Sequence, residues 1–142
     1  MINKSGIVYI LCSGYFKTGG LESLHLLCHT LRKKDIDARI VYTVEEKQIG
    51  EMRYRVGHPG HGSVDVCKEW MQHITDDAKN EEYNIYDTVG SKEIIDDSNN
   101  TLIVPEIYLN ALNNFKNIKK AIWWLASRVL PDGSYKHKFS IF

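Results

Sequence analysis

Six residues near the start of the chain, Ile7 to Cys12 (IVYILC), are apolar at every position and rich in β-branched and aromatic side chains. A strand with no polar face has to be covered on both sides, which is the situation of an inner strand in a parallel sheet. The next segment tightens the constraint. After a turn carrying Gly14, Gly19 and Gly20, the residues Leu21, Leu24, Leu27, Cys28 and Leu31 recur at three- and four-residue steps. That spacing predicts a helix with one apolar stripe, leaving Glu22, His25, Arg32 and Lys33 for the water side. Lys33 and Lys34 fall at its end, where cations suit exposed carbonyls, and DID then turns the chain into ARIVYTV, a second β-rich run. Strand, helix and strand within about forty residues make a βαβ unit with a right-handed crossover. The expected fold class is α/β, a Rossmann-like parallel sheet flanked by helices.

The rest of the chain is less even. From Glu45 to Gly62 it is polar and contains RYRVGHPGHG, too rich in Gly and Pro for regular structure, and it reads as a loop. Ser63 is placed to cap a helix on which Val64, Cys67, Trp70 or Met71, and Ile74 share a face, before DDAKNEEYN breaks the pattern. YDTVG is a candidate short strand and the acidic IIDDSNN a turn. TLIVPE then reads as a strand, IYLNALNNFKN as a helix with Leu109, Leu112 and Phe115 inward, and KKAIWWLAS as a last strong strand with Trp123 and Trp124 on opposite faces. The closing RVLPDGSYKHKFSIF starts on a Pro-Asp-Gly turn. With 142 residues and no internal repeat or low-complexity segment, the chain is read as one domain over 1–142, in which 45–80 stands apart as a variable region.

Charge and cysteine usage narrow the partners. Eighteen basic residues balance eighteen acidic ones, so no global field draws the chain to nucleic acid, and an anionic partner needs a local patch. KNIKK, with Tyr108 and Phe115 nearby, is one such patch for peripheral contact with an anionic membrane, although such runs are more often solvated helix ends. Cys12, Cys28 and Cys67 are odd in number and form no C-x-x-C pair, which argues against a disulfide framework or a four-ligand zinc site and for a reducing cytoplasm. The opening MINKSGIVYILCSG has an apolar run too short for a signal peptide or a membrane span.

The glycine turn is the leading candidate site. Neither the G-x-x-x-x-G-K-[ST] phosphate loop nor the G-x-G-x-x-G fingerprint fits, because Gly20 follows Gly19 and Phe16 stands two after Gly14. What remains is the physics common to both: Gly19 and Gly20 permit close approach of a ligand to the backbone, and the first amides of the Leu21 helix suit a phosphate. A plain strand-to-helix turn is the alternative. HLLCH places His25 and His29 one turn apart, but Leu26 stands where a zinc protease needs glutamate, so a surface histidine pair is expected. His58 and His61 of HPGHG, with the later Cys67, match no common zinc spacing, and HPGHG is read as a plain loop; no metal is assigned. Glu106 in VPEI lies just past a strand's carboxyl end, where open α/β sheets gather ligands, or serves as an ordinary first-turn helix acid. Arg128, at the end of the last strand beside Ser127, could grip a phosphate or carboxylate.

Taken together, YILCSGYFKTGGLESLHLLCHTLRKKDIDARIVY, LIVPEI and KKAIWWLAS resemble the amino-terminal half of bacterial GT-B glycosyltransferases of the retaining, polysaccharide-building kind. The resemblance covers the first forty-odd residues and about Tyr83 to Ser127. It implies a Rossmann-like acceptor-side domain whose Thr18, Gly19 and Gly20 meet the donor diphosphate, with Lys17, Glu22, Glu106, Ser127 and Arg128 as candidate substrate contacts. It also implies a nucleotide sugar as co-substrate with no other cofactor, a glycan or lipid-linked acceptor, and work in the cytoplasm, including the inner face of the membrane. The paired glutamates of the second domain are missing, so the expectation is a chain that does not transfer sugar without a carboxyl-terminal partner domain, in the same chain or a separate subunit. Acceptor choice would lie in the loop around His58. Two other classes stay open: a binding module for a phosphorylated small molecule, and a non-catalytic protein that self-associates through apolar surface.

Overall fold

The computed structural model describes residues 5–58 and 63–124, together with the backbone of three two-residue strands farther on. The elements run β1 (Ile7–Ser13), α1 (Gly19–Lys33), β2 (Asp37–Ile49), β3 (Met52–Gly57), α2 (Val64–Trp70), β4 (Thr101–Pro105), β5 (Lys119–Trp123), β6 (Arg128–Val129), β7 (Tyr135–Lys136) and β8 (Ser140–Ile141). Short 3₁₀ segments lie at Met71–His73, Glu81–Ile85 and Glu106–Asn114. Six strands form one mixed sheet in the order β3-β2-β1-β4-β5-β8, flanked by helices.

The apolar run of β1 is an inner strand, parallel to β2 on one side and β4 on the other, with Ile10 opposite Ile40 and Ile103. Its alternate side chains feed two cores. Val8, Ile10 and Cys12 pack with Leu21, Leu24, Cys28 and Leu31 of α1, and a leucine buried as completely as Leu24 contributes about 1.5–3 kcal/mol. Tyr9 and Leu11 pack on the other face with Cys67 of α2 and with Tyr108, Ala111 and Leu112. Trp123 and Trp124 join opposite cores, as their neighbouring positions on an extended chain require.

Three expectations are corrected. His25 does not face water: it is 1% exposed, because the α1 stripe is wider than the leucines alone suggest. Residues 45–57 are not a loop, since β2 continues to Ile49 and pairs antiparallel with β3, Ile49 opposite Met52. The two-residue turn is made by Gly50, whose φ of +61° costs a glycine little. The polar composition misleads because this hairpin stands off the core, leaving Ile49 and Met52 63% and 61% exposed. The expected helix after β4 is a 3₁₀ segment kinked at Tyr108, with Tyr108, Ala111 and Leu112 buried and Leu109 turned out; Phe115 comes after it, partly buried.

Other expectations hold. Ser63 caps α2 by accepting from the Val66 amide at 3.3 Å. YDTVG, by contrast, is not the short strand expected: it contributes only an isolated parallel bridge, Gly90 to Ile40. In the acidic turn, the Asp96 carboxylate accepts from the amides of Lys116, Asn117 and Ile118 at 2.8–2.9 Å, which lowers its pKa and staples the entry to β5.

Candidate functional site: the glycine turn at the carboxyl edge

The chain goes from β1 outward to β2, then returns to place β4 on the other side of β1. Strand order therefore reverses between β1 and β4, and in open α/β sheets a crevice forms outside the carboxyl ends at such a point. The segment after β1 carries the glycine turn, and the first residue after β4 is Glu106. Lys17, Thr18, Gly19, Glu22 and Glu106 thus share one edge of the sheet. Residues 59–62 and Ser127, with the side chain of Arg128, lie outside the described residues.

Helix α1 begins at Gly19, two residues ahead of the leucine stripe. Thr18 is its N-cap: the hydroxyl accepts from the Leu21 amide at 3.1 Å, and the Thr18 carbonyl takes the Glu22 amide at 3.0 Å. Among the described residues, the amides of Gly19 and Gly20 have no acceptor, and they are the remaining donors of the helix's first turn. A Cβ on Gly19 would meet nothing within 4 Å. Packing therefore does not demand glycine there.

A strap from Ala78 to Tyr83 holds the turn. Tyr15 donates its amide to the Ala78 carbonyl at 2.7 Å and accepts from the Asn80 side chain at 2.8 Å, which keeps it at a φ of +63°. The Tyr83 hydroxyl clasps Thr18 from both sides, accepting from its amide and donating to its carbonyl, each at 3.0 Å. Lys17 pairs with Glu82, which raises its pKa by hydrogen bond and charge. Glu22 accepts from the Tyr86 hydroxyl at 2.8 Å. The turn's two charged side chains are therefore engaged by the strap and its continuation, and its attraction for an anion comes from amides and helix dipole.

Behind Tyr83 stands His25. Its Nδ1 donates to the Leu21 carbonyl at 2.7 Å, which can only accept, so the neutral ring's Nε2 accepts from the Tyr42 hydroxyl at 2.9 Å. The ring lies 4.3 Å from that of Tyr83, centroid to centroid. Burial lowers the His25 pKa, against the Leu21 bond that raises it. His29 accepts the Asp87 amide through Nδ1 at 2.8 Å. With one ring buried and the other bonded to backbone, the pair is not the surface pair expected.

A second anchor closes the same edge over the opposite core. The hydroxyls of Ser13, Thr43 and Tyr108 converge on the His58 carbonyl at 2.9, 3.2 and 2.9 Å, and Tyr108 also bonds to Ser13 and to Thr43. A carbonyl has two lone pairs for three protons, so one hydroxyl must donate to a neighbour. His58 then opens into a cavity of about 310 Å³ lined by Val44, Glu45, Glu46, Val66, Glu69 and His73. Cys67 is fully buried in the core of α2 and does not line the cavity, and His61 lies outside the described residues. No group of three His, Cys, Asp or Glu suited to a metal occurs among the described residues, nor is any helix there long and apolar enough to cross a membrane.

Neither the strap nor the hydroxyl anchor is legible in the sequence. Tyr83 lies 65 residues from Thr18, and Tyr108 95 from Ser13, so no local motif announces either contact. Comparison with protein-family models, with curated proteins and with solved structures finds no match to this chain. The class established is thus an α/β protein with a mixed sheet and a glycine turn at its carboxyl edge.

Proposed function

We propose that this chain is the acceptor-side domain of a GT-B-type glycosyltransferase, moving a sugar from a nucleotide-sugar donor to a glycan or lipid-linked acceptor. It would do so when completed by a carboxyl-terminal donor-binding domain in the same chain or a separate subunit. One observation carries the reading: the Gly19 and Gly20 amides, without acceptors among the described residues, begin a 15-residue helix beside the point where strand order reverses. Amides fixed in that position meet a diphosphate whose negative charge grows as the sugar departs, and they need no reorganisation at that moment. The resemblance adds Thr18 at the cap, with Lys17, Glu22, Glu106, Ser127 and Arg128 as substrate contacts. The cavity beside His58 is the natural acceptor site, since its glutamates accept hydrogen bonds from sugar hydroxyls and repel anionic groups. The setting would be the cytoplasm, including the inner face of the membrane, where the exposed Lys116 at the entry to β5 is one basic contact.

A binding module for a phosphorylated small molecule is the second reading. It is favoured by the engagement of Lys17 with Glu82 and of Glu22 with Tyr86, which leaves the turn's charged side chains occupied. Titration of the chain with nucleoside diphosphates, nucleotide sugars and simple sugar phosphates, followed at the Gly19 and Gly20 amide resonances, separates the two. Shifts confined to the turn and strongest with diphosphates support the transferase domain. Equal shifts with any phosphate ester support the module. No shift with any of them removes the anion site from both.

A further inference from the structure

We infer that His25 is a proton-sensitive support of the glycine turn: when its ring is neutral, the Tyr83 clasp on Thr18 is held in place, and protonation of the ring loosens that clasp and the Gly19–Gly20 amides with it. The inference concerns regulation of the anion cradle proposed above and rests on that reading for its functional meaning, but the coupling itself is a property of the unliganded chain.

Three contacts make the chain of cause. The His25 ring is packed against the Tyr83 ring, 4.3 Å between centroids and 32° between planes. Tyr83 is 1% exposed, and its hydroxyl holds both backbone polar groups of Thr18. Thr18 in turn caps α1 and sets the first turn in which Gly19 and Gly20 stand. On the other side of the ring, Nε2 is the acceptor of the Tyr42 hydroxyl. Tyr42 is 2% exposed, and among the described residues its hydroxyl bonds to nothing else.

Protonation reverses the polarity of that contact. Nε2 gains a hydrogen and can only donate, so the Tyr42 O–H must turn away from it, in a buried setting where the Cys12 and Cys28 thiols beside it are only weak acceptors. The ring becomes a cation in the core. The groups around it give that cation little support. From the strap Lys79 repels it and Tyr83 is neutral; from β2 Tyr42 is neutral; Cys28 of α1 and Cys12 of β1, beside Tyr42, are thiols whose pKa burial raises. Glu22, one turn earlier on α1, is the anion that attracts it. Glu22 is exposed, so the relief open to an imidazolium is to leave the core towards Glu22 and water. Attraction between the cation and the Tyr83 face opposes this movement, and a ring that does leave takes away the surface on which Tyr83 rests. The hydroxyl that clasps Thr18 is at the far end of that same side chain.

The test is a pH titration of the full, ligand-free chain from about pH 7.5 to about pH 4.5, a range that spans the ordinary histidine pKa. It follows the His25 imidazole resonances and the Thr18, Gly19 and Gly20 amides site by site. The expected result is that the three amides shift with the midpoint of the His25 ring. Hydrogen exchange of the Thr18 amide, which donates to the Tyr83 hydroxyl, should accelerate by roughly fivefold or more across that midpoint once corrected for intrinsic pH dependence. His25→Gln should abolish the response. Tyr83→Phe, which keeps the ring contact and removes the clasp, should leave His25 titrating while the amide shifts stay flat and the Thr18 amide is already fast-exchanging. Amides that remain fixed through the ring's midpoint overturn the inference, as does a ring that stays neutral until the chain unfolds. Neither result touches the anion reading, which is decided by the phosphate titration. Conversely, a coupled turn that binds no anion keeps the coupling and removes its proposed use.

Discussion

The two anchors at the carboxyl edge do the same job with different chemistry. Over the α1 core, the glycine turn is held by the Ala78–Tyr83 strap, one aromatic clasp backed by a neutral histidine. Over the α2 core, His58 is held by three hydroxyls whose protons are shared among neighbours. A hydroxyl cluster has nothing to titrate between neutral and mildly acidic pH, and burial pushes the Tyr108 phenol higher still. The histidine-backed strap does. One edge of one sheet thus carries a support that ignores protons and one that responds to them.

The most damaging change should be the one that strikes both anchors together. A Cβ on Gly57 would stand 1.9 Å from the Gly14 carbonyl oxygen and 2.9 Å from the Phe16 ring, and Gly57 immediately precedes the clamped His58. A carbonyl of the backbone cannot swing aside as a side chain would. Gly57→Ala is expected to cost about 3 kcal/mol or more in denaturant unfolding. A loss below about 1 kcal/mol would mean that β3 slides freely past the glycine turn, and that the anchors are independent.

Separating the anchors comes next. Tyr108→Phe removes the hydroxyl that joins Ser13, Thr43 and His58, and should cost about 1–3 kcal/mol because the buried Ser13 and Thr43 hydroxyls each lose a bond. Tyr83→Phe should cost less, about 0.5–1.5 kcal/mol, since Thr18 is exposed and its amide and carbonyl can turn to solvent. Denaturant midpoints for both variants, measured together, rank the supports. The reverse order would make the strap the main fastening of this edge.

Acid sharpens the contrast further. The folded pKa of His25 lies below its ordinary value, so the unfolded chain binds more protons between the two. Its contribution is therefore complete above about pH 6.5 and declines as pH falls towards the folded pKa. Thermal midpoints of the native chain should drop across that window, and those of His25→Gln should drop less. Parallel curves for the two proteins would place the acid sensitivity elsewhere, for instance on carboxylates at lower pH such as Asp96, whose pKa the Lys116–Ile118 amides lower.

How much of this is legible in the sequence depends on the range of the interactions involved. The inner strand, the α1 stripe and the turn between them are local patterns, and their period alone places them. The β2–β3 hairpin is also local, announced by Gly50 between alternating residues, but its two wet faces hide the strand pattern that a core would have imposed. His25 misleads because histidine at the border of an apolar stripe looks like a surface residue until Tyr42 and Tyr83 arrive to cover it. Those partners, and the hydroxyls around His58, come from distant parts of the chain. Nothing in their immediate surroundings marks them as neighbours.

The smallest expected effect bears on the purpose of the turn. A methyl at Gly19 enters open space, φ there is not in the left-handed region, and the position begins a helix that alanine favours over glycine by up to about 1 kcal/mol. Gly19→Ala should therefore leave stability unchanged or raise it by about 0–1 kcal/mol. A fold that would be no worse with alanine gives no reason of its own for the glycine. If the same substitution weakens the diphosphate response of the turn while the denaturant midpoint holds or rises, the missing side chain serves close approach of a ligand to the backbone. If binding is unchanged, Gly19 is part of an ordinary strand-to-helix turn, and the site must be sought on the other side of the edge, in the acidic cavity beside His58.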